Sequence, residues 1–157
     1  MLYKALTSKD SNNSKNDFIF IGLLSLIDPP RAEVPGAIID CHAAGIKVVM
    51  VTGDHPITAA AIARSIGLIT LPTKEDVAVS KGISEREVDE DDVEAVVVHG
   101  YTIPDMTEGD WATVLSKKEI IFARTSPEQK LIIVKKFTQA GEIVCFVWFF
   151  FFPDRSS

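Results

Sequence analysis

Four apolar runs punctuate the chain, each of strand length and each followed by a polar or glycine-bearing turn. Residues 18–26 (FIFIGLLSL) form the first, stopped by Pro29 and Pro30, which donate no ladder hydrogen bonds and enforce an extended turn. Residues 47–51 (KVVMV) form the second, 95–99 (AVVVH) the third and 120–123 (IIFA) the fourth. Between them the apolar positions recur at helical spacing. Val34, Ala37, Ile38, Cys41 and Ala44 predict a helix over 33–44 closed by Gly45, and an alanine-rich helix over 56–66 is closed by Gly67. Trp111, Val114 and Leu115 mark another from about 107 to 115. Ser126, Pro127 and Gln129 make a helix start with a capping box, with Leu131, Ile132, Val134 and Phe137 expected to point inward. A fifth buried strand is expected over 143–147; residues 1–17 and 70–94 are polar, with a flexible loop expected over 8–17, a solvated acidic run over 89–92 and a short helix over 84–91. Strands and helices alternating at such short spacing predict a Rossmann-like α/β fold, a parallel sheet with helices on both faces.

The organising stretch is 47–58, KVVMVTGDHPIT. A β-branched run delivers Thr52, Gly53 and Asp54 into one tight turn just before a helix, the position where open α/β sheets bind ligands. Glycine permits close approach to a phosphate, and the amides of a helix's first turn favour an anion. The alternative is a plain strand-turn-helix link in which Asp54 only caps the helix. Lys130, early in its helix, and Arg124, just past its strand, have the charge and reach for a phosphate on the same edge, although each residue taken alone is more often a solvated surface side chain. Asp28 ends the first run, and Pro29 and Pro30 after it suggest a rigid turn or hinge.

Composition narrows this picture. A length of 157 residues fits one domain, and a net charge of -6 argues against a nucleic-acid partner. Cys41 and Cys145 are expected to be reduced structural thiols. His42, His55 and His99 show neither triad nor metal spacing, and the acidic run 89–92 lacks the ligand rhythm of a cation loop, so no metal residues are assigned. No stretch reaches the roughly 18 apolar residues that read as a membrane span.

Taken together, IDPPRAEVPGAI, AGIKVVMVTGDHPITAAAIARSIGLI, VVHG, DMTEGDW and IIFARTSPEQKLIIVKKFTQAGEIV closely resemble P-type cation-transporting ATPases, most of all the catalytic alpha subunits of sodium/potassium or proton/potassium pumps. The resemblance covers about 18–144 and implies an incomplete phosphorylation domain of the haloacid-dehalogenase type. It divides the chain into 1–27, a polar segment and the end of a nucleotide-binding domain; 28–147, the partial phosphorylation domain; and 148–157, an aromatic tail. It implies that Thr52 and Gly53 contact phosphate, that Asp54 and Arg124 lie near the nucleotide, and that Lys130 stabilises transferred phosphoryl charge. Asp28, Pro29, Pro30 and Arg31 resemble the hinge. ATP and Mg²⁺ are the family's ligands, with a pump beta subunit and the membrane as partners of what would be a cytosolic domain of a plasma-membrane pump. The aspartate nucleophile of the family's DKTGT motif is not found, and from about Cys145 the chain runs CFVWFFFFPDRSS where the family's GDGxND magnesium loop would follow. The expectation is therefore an alpha-subunit portion inactive by itself. The alternatives are a stand-alone phosphatase of the same superfamily or a non-catalytic module that binds the pump.

Overall fold

A computed structural model of the chain describes residues 2–3, 19–20, 29–89 and 92–147. Near the start, β1 (Leu2–Tyr3) pairs antiparallel with β2 (Ile19–Phe20). Residues 8–17, which the sequence marks as a loop, lie outside the described residues. The remainder of the 18–26 run, and Asp28 of the expected hinge, lie outside the described residues.

The main unit is a three-stranded parallel sheet in the order β3 (Val49–Val51), β5 (Glu119–Ala123), β4 (Ala95–His99). Register places Val49, Met50 and Val51 beside Ile120, Ile121 and Phe122, with Val96, Val97 and Val98 beside the same three residues on the other side. All five β5 residues are buried, as a central parallel strand requires. β3 was expected to be buried but is half-buried throughout, because it forms the outer strand of the described sheet.

Side chains alternate between the two faces. On one face Ile121, Ala123 and Ala95 meet Ile38 of α1 (Val34–Ala43), then Ala59 and Ala63 of α2 (Pro56–Ser65), then Ile66, Leu68 and Ile69. Small alanines let α2 approach the sheet closely. On the other face Ile120, Phe122 and Val98 meet Trp111 of α4 (Glu108–Ser116) and Ile133 and Phe137 of α5 (Pro127–Gln139). The Trp111 and Phe122 rings stack at 5.9 Å. At the opposite end of the sheet from the turn at 52–54, Lys47 donates to the Leu115 and Lys117 carbonyls (2.9 and 3.1 Å), a cation placed at the negative end of α4.

Several expectations are corrected. Within the polar stretch 70–94, where the sequence suggests a short helix only over 84–91, α3 (Lys74–Lys81) also forms, started by a reciprocal capping box between Thr73 and Asp76 and ended by Gly82 in the left-handed conformation. The expected helix over 84–91 is a single 3₁₀ turn, Glu85–Glu87. In α5 the inward stripe is Ile133 and Phe137 with Val134 half-buried, whereas Leu131 is 73% and Ile132 40% exposed. Helical rotation allows one four-residue stripe, and the 130-133-137 register excludes 131 and 132. In α1 only Ile38 is buried, with Val34 and Cys41 half-buried and Ala37 exposed. Residues 143–147 are not a strand: Ile143 is fully exposed, and Val144, Phe146 and Val147 are also exposed. Cys145 is exposed there, outside any element.

The pairing of α2 with α3 depends on pH. Burial alone would raise the Asp76 carboxyl, but hydrogen bonds from the Thr73 hydroxyl and amide, together with the Arg64 guanidinium (2.9 and 2.7 Å), outweigh it and hold the group below the ordinary 3.8. A depressed folded value means that this stabilisation is complete above 3.8 and disappears as pH falls through the lower folded value. Because the pair is partly exposed, the contribution is under about 1 kcal/mol. Urea midpoints of wild type should therefore fall below those at neutral pH as acid is added, with Asp76→Asn showing a flatter profile and a lower midpoint at pH 7.

Candidate phosphate-binding edge

Since β3, β5 and β4 are parallel, the residues that follow each strand share one edge of the sheet. β3 delivers Thr52, Gly53 and Asp54; β5 delivers Arg124, Thr125 and Ser126; β4 delivers Gly100. The ladder continues one step past β3, with Thr52 N–H donating to the Phe122 carbonyl (2.9 Å). The next two loops are then bound together. Arg124 N–H donates to the Asp54 carbonyl (2.9 Å), while Thr125 donates to the Thr52 carbonyl from both its amide (3.0 Å) and its hydroxyl (2.9 Å).

Asp54 is not the helix cap. His55 takes that position in α2, its Nδ1 accepting from Ile57 N–H, which relieves Asp54 of capping. The Asp54 side chain is exposed and, among the described residues, has no hydrogen-bond or ion-pair partner. Its amide donates to Thr52 Oγ1 (3.1 Å), so the Thr52 hydroxyl spends an acceptor site inward and keeps its proton for an outside acceptor. The Gly53 amide has no acceptor among the described residues. This turn thus offers one hydroxyl and one free amide to an anion.

Arg124 has φ 56°, alone among the described non-glycine residues in the positive region. For an arginine that conformation costs about 1–2 kcal/mol, and such strain tends to collect at functional positions. Its guanidinium is exposed and unpaired among the described residues. Beneath it lies a close backbone contact. A Cβ at Gly100 would overlap the Arg124 carbonyl oxygen and stand 2.7 Å from its carbon, so only glycine fits. Gln129 completes the joint by donating from Nε2 to the Gly100 carbonyl (2.7 Å) and accepting from Ser126 N–H through Oε1 (2.9 Å). Lys130 follows in the first turn of α5, half-buried, its amide bonded to the Ser126 carbonyl.

Gly100, Thr125 and Gln129 did not stand out in the sequence as site residues. The available signals were the glycine directly after AVVVH and the Gln129 position in the capping box, which reads as helix chemistry alone. Pro29, Pro30 and Arg31 of the expected hinge are exposed and lead into α1. An open cleft of ≈ 400 Å³ lies elsewhere, beside β4, lined by Val97, His99, Thr102, Asp105 and Met106. It does not include Thr52, Gly53, Asp54, Arg124 or Lys130.

The Arg124 guanidinium, the Gly53 amide and the Thr52 hydroxyl, all on one edge, are donors of the kind a phosphorylated ligand accepts from. A divalent cation fits less well: among the described residues no group of three or more His, Cys, Asp or Glu side chains comes together.

A parallel α/β sheet covered by helices agrees with the family comparison. The model for haloacid dehalogenase-like hydrolases matches residues 5–147, and the chain belongs to that family. More particularly, it is 50% identical over 140 residues to the sodium/potassium-transporting ATPase subunit alpha-4 of Rattus norvegicus, covering 87% of this chain and 14% of that protein. It is 50% identical over 143 residues to subunit alpha-B of Artemia franciscana (89% and 14%), and 49% identical over 136 residues to the potassium-transporting ATPase alpha chain 2 of Rattus norvegicus (85% and 13%). The chain thus spans about 14% of the length of the curated relatives it matches. No helix among the described residues is long and apolar enough to cross a membrane.

Proposed function

We propose that this chain is the nucleotide- and phosphate-contacting portion of an ATP-driven sodium/potassium-exchanging pump alpha subunit. In this reading residues 1–27 carry the end of a nucleotide-binding domain, 28–147 a partial phosphorylation domain and 148–157 a tail outside the family pattern. What supports it is the junction of the Thr52-Gly53-Asp54 turn to Arg124 and Thr125, through hydrogen bonds of 2.9 to 3.0 Å, in a chain half identical to pump alpha subunits.

Each group has a physical role in that reading. The Thr52 hydroxyl and Gly53 amide donate to phosphate oxygens, and Arg124 offers a planar fork to phosphate or ribose oxygens. Lys130 places a point charge where phosphoryl charge develops. Asp54 accepts from nucleotide hydroxyls. ATP, when bound, supplies the phosphoryl group. Mg²⁺ belongs to the parent family's chemistry, and no step through it is assigned to this chain, given the donor set described above. The pump's beta subunit, its membrane setting and its ion transport belong to the whole alpha subunit.

The expected behaviour of the purified chain is ATP binding without turnover. Arg124→Ala and Lys130→Ala should each weaken ATP binding by about tenfold, the loss of one charge-assisted contact, measured by calorimetry. Unchanged affinity in both variants would refute the assignment. Magnesium-dependent ATP hydrolysis would refute the inactive reading, and phosphate-ester hydrolysis abolished by Asp54→Asn would instead establish a stand-alone phosphatase.

A further inference from the structure

We infer that Gly100 and Gln129 are positioning residues that set the left-handed backbone of Arg124 and so aim its guanidinium at the edge carrying Thr52, Gly53 and Asp54. The inference rests on the reading of that edge as a phosphate-binding site.

Arginine does not hold φ 56° unaided, because its Cβ crowds the neighbouring backbone. On the β3 side, the Arg124 amide and the Thr125 amide and hydroxyl tie the turn to the Asp54 and Thr52 carbonyls. Those bonds fix where the loop sits. On the β4 side, the missing side chain of Gly100 leaves room for the Arg124 carbonyl, which residue 124 presents there in this conformation. Gln129 then bridges the two loops, donating to the Gly100 carbonyl and accepting from Ser126 N–H, two residues past Arg124. Of the two bonds made by the Gln129 side chain, the capping box of α5 uses only the one from Ser126 N–H to Oε1. The bond from Nε2 to Gly100 adds nothing to the cap, and its geometric consequence is to clamp the β4 loop against residue 124. Changing the sign of φ at residue 124 would swing its Cα–Cβ vector and carry the guanidinium off the edge.

The two bonds of Gln129 can be separated by substitution. Gln129→Glu retains an acceptor for Ser126 N–H but has no donor for Gly100 O, while Gln129→Ala loses both. In isotope-labelled full chain without ligand, the three-bond amide-to-Hα coupling and the Cα and Cβ shifts of Arg124 should report positive φ in wild type and shift toward ordinary values in both variants. ATP affinity should fall about tenfold in Gln129→Ala. That loss should vanish when Gln129→Ala is introduced into Arg124→Ala, since a positioning residue acts only through the group it positions. An Arg124 signature unchanged in both variants would overturn the inference, as would an equal affinity loss in the two backgrounds. If wild type fails to bind ATP, the phosphate-site reading falls, and the Arg124 signature alone still decides whether the clamp exists.

Discussion

Gly100→Ala is expected to destabilise the chain by about 3 kcal/mol and to disrupt the proposed ligand edge at the same time. The added methyl has nowhere to go. Its nearest neighbours would be the Arg124 carbonyl oxygen and carbon and the Gln129 Oε1, the last at 2.9 Å. A flexible side-chain end can retreat from such a contact, but the carbonyl is backbone at the end of the most buried strand, held by the bonds from residues 124 and 125 to β3's turn. Relief requires either β4's loop or the residue 124 turn to move, and each movement breaks the Gln129 bond to Gly100. Urea unfolding should show a lowered midpoint with an unchanged slope. A variant as stable as wild type would mean that the two loops do not pack as described.

Phe122→Ala should have an effect of about 3–5 kcal/mol, the cost of removing a large aromatic from a closed site. Phe122 is fully buried at the centre of the described sheet, stacked on Trp111, and clustered with Val98, Ile103, Ile133 and Phe137. Its neighbours come from β4, α4 and α5 and from the 3₁₀ helix Gly100–Asp105, so no single element can collapse into the space. Domains of this size are stabilised by only about 5–15 kcal/mol, so the variant should lose much of its reserve against urea or heat. Phe122→Leu should lose considerably less, since it retains most of the buried volume. Equal midpoints for wild type and Phe122→Ala would show that α4 and α5 do not close over the sheet.

The parts of the fold legible in the sequence are those where local and tertiary signals agree. IIFA is apolar on both faces and becomes the central strand; Ser126, Pro127 and Gln129 start α5 where the capping pattern places it. Thr73 and Asp76 carry a similar capping signal for α3, but a helix with only Val77 and Ala78 buried has too faint an apolar stripe to stand out in a charged region. Residues 143–147 fail in the opposite way. Their composition suits a strand, but strand formation requires a ladder partner, which composition does not reveal.

The proposed ligand edge divides similarly. Thr52, Gly53, Asp54, Arg124 and Lys130 were legible as separate chemical candidates because residue type and position after a strand suffice to nominate them. The backbone bonds that tie the Thr52–Asp54 turn to Arg124 and Thr125 were not. Nothing about an arginine announces a positive φ, and the glycine that accommodates it lies 24 positions away in sequence, on another strand's end (Gly100 against Arg124). His55 likewise displaced Asp54 as the cap of α2, a competition between adjacent residues that their types leave open.

The most direct test of the account is a titration of ATP, followed by acetyl phosphate, into the isotope-labelled chain observed by amide NMR. The account predicts dispersed resonances whose shifts concentrate at Thr52, Gly53, Asp54, Arg124 and Lys130, with acetyl phosphate moving the Thr52 and Gly53 amides. Shifts confined to the cleft beside β4, or no saturable shifts in a well-dispersed spectrum, would contradict it.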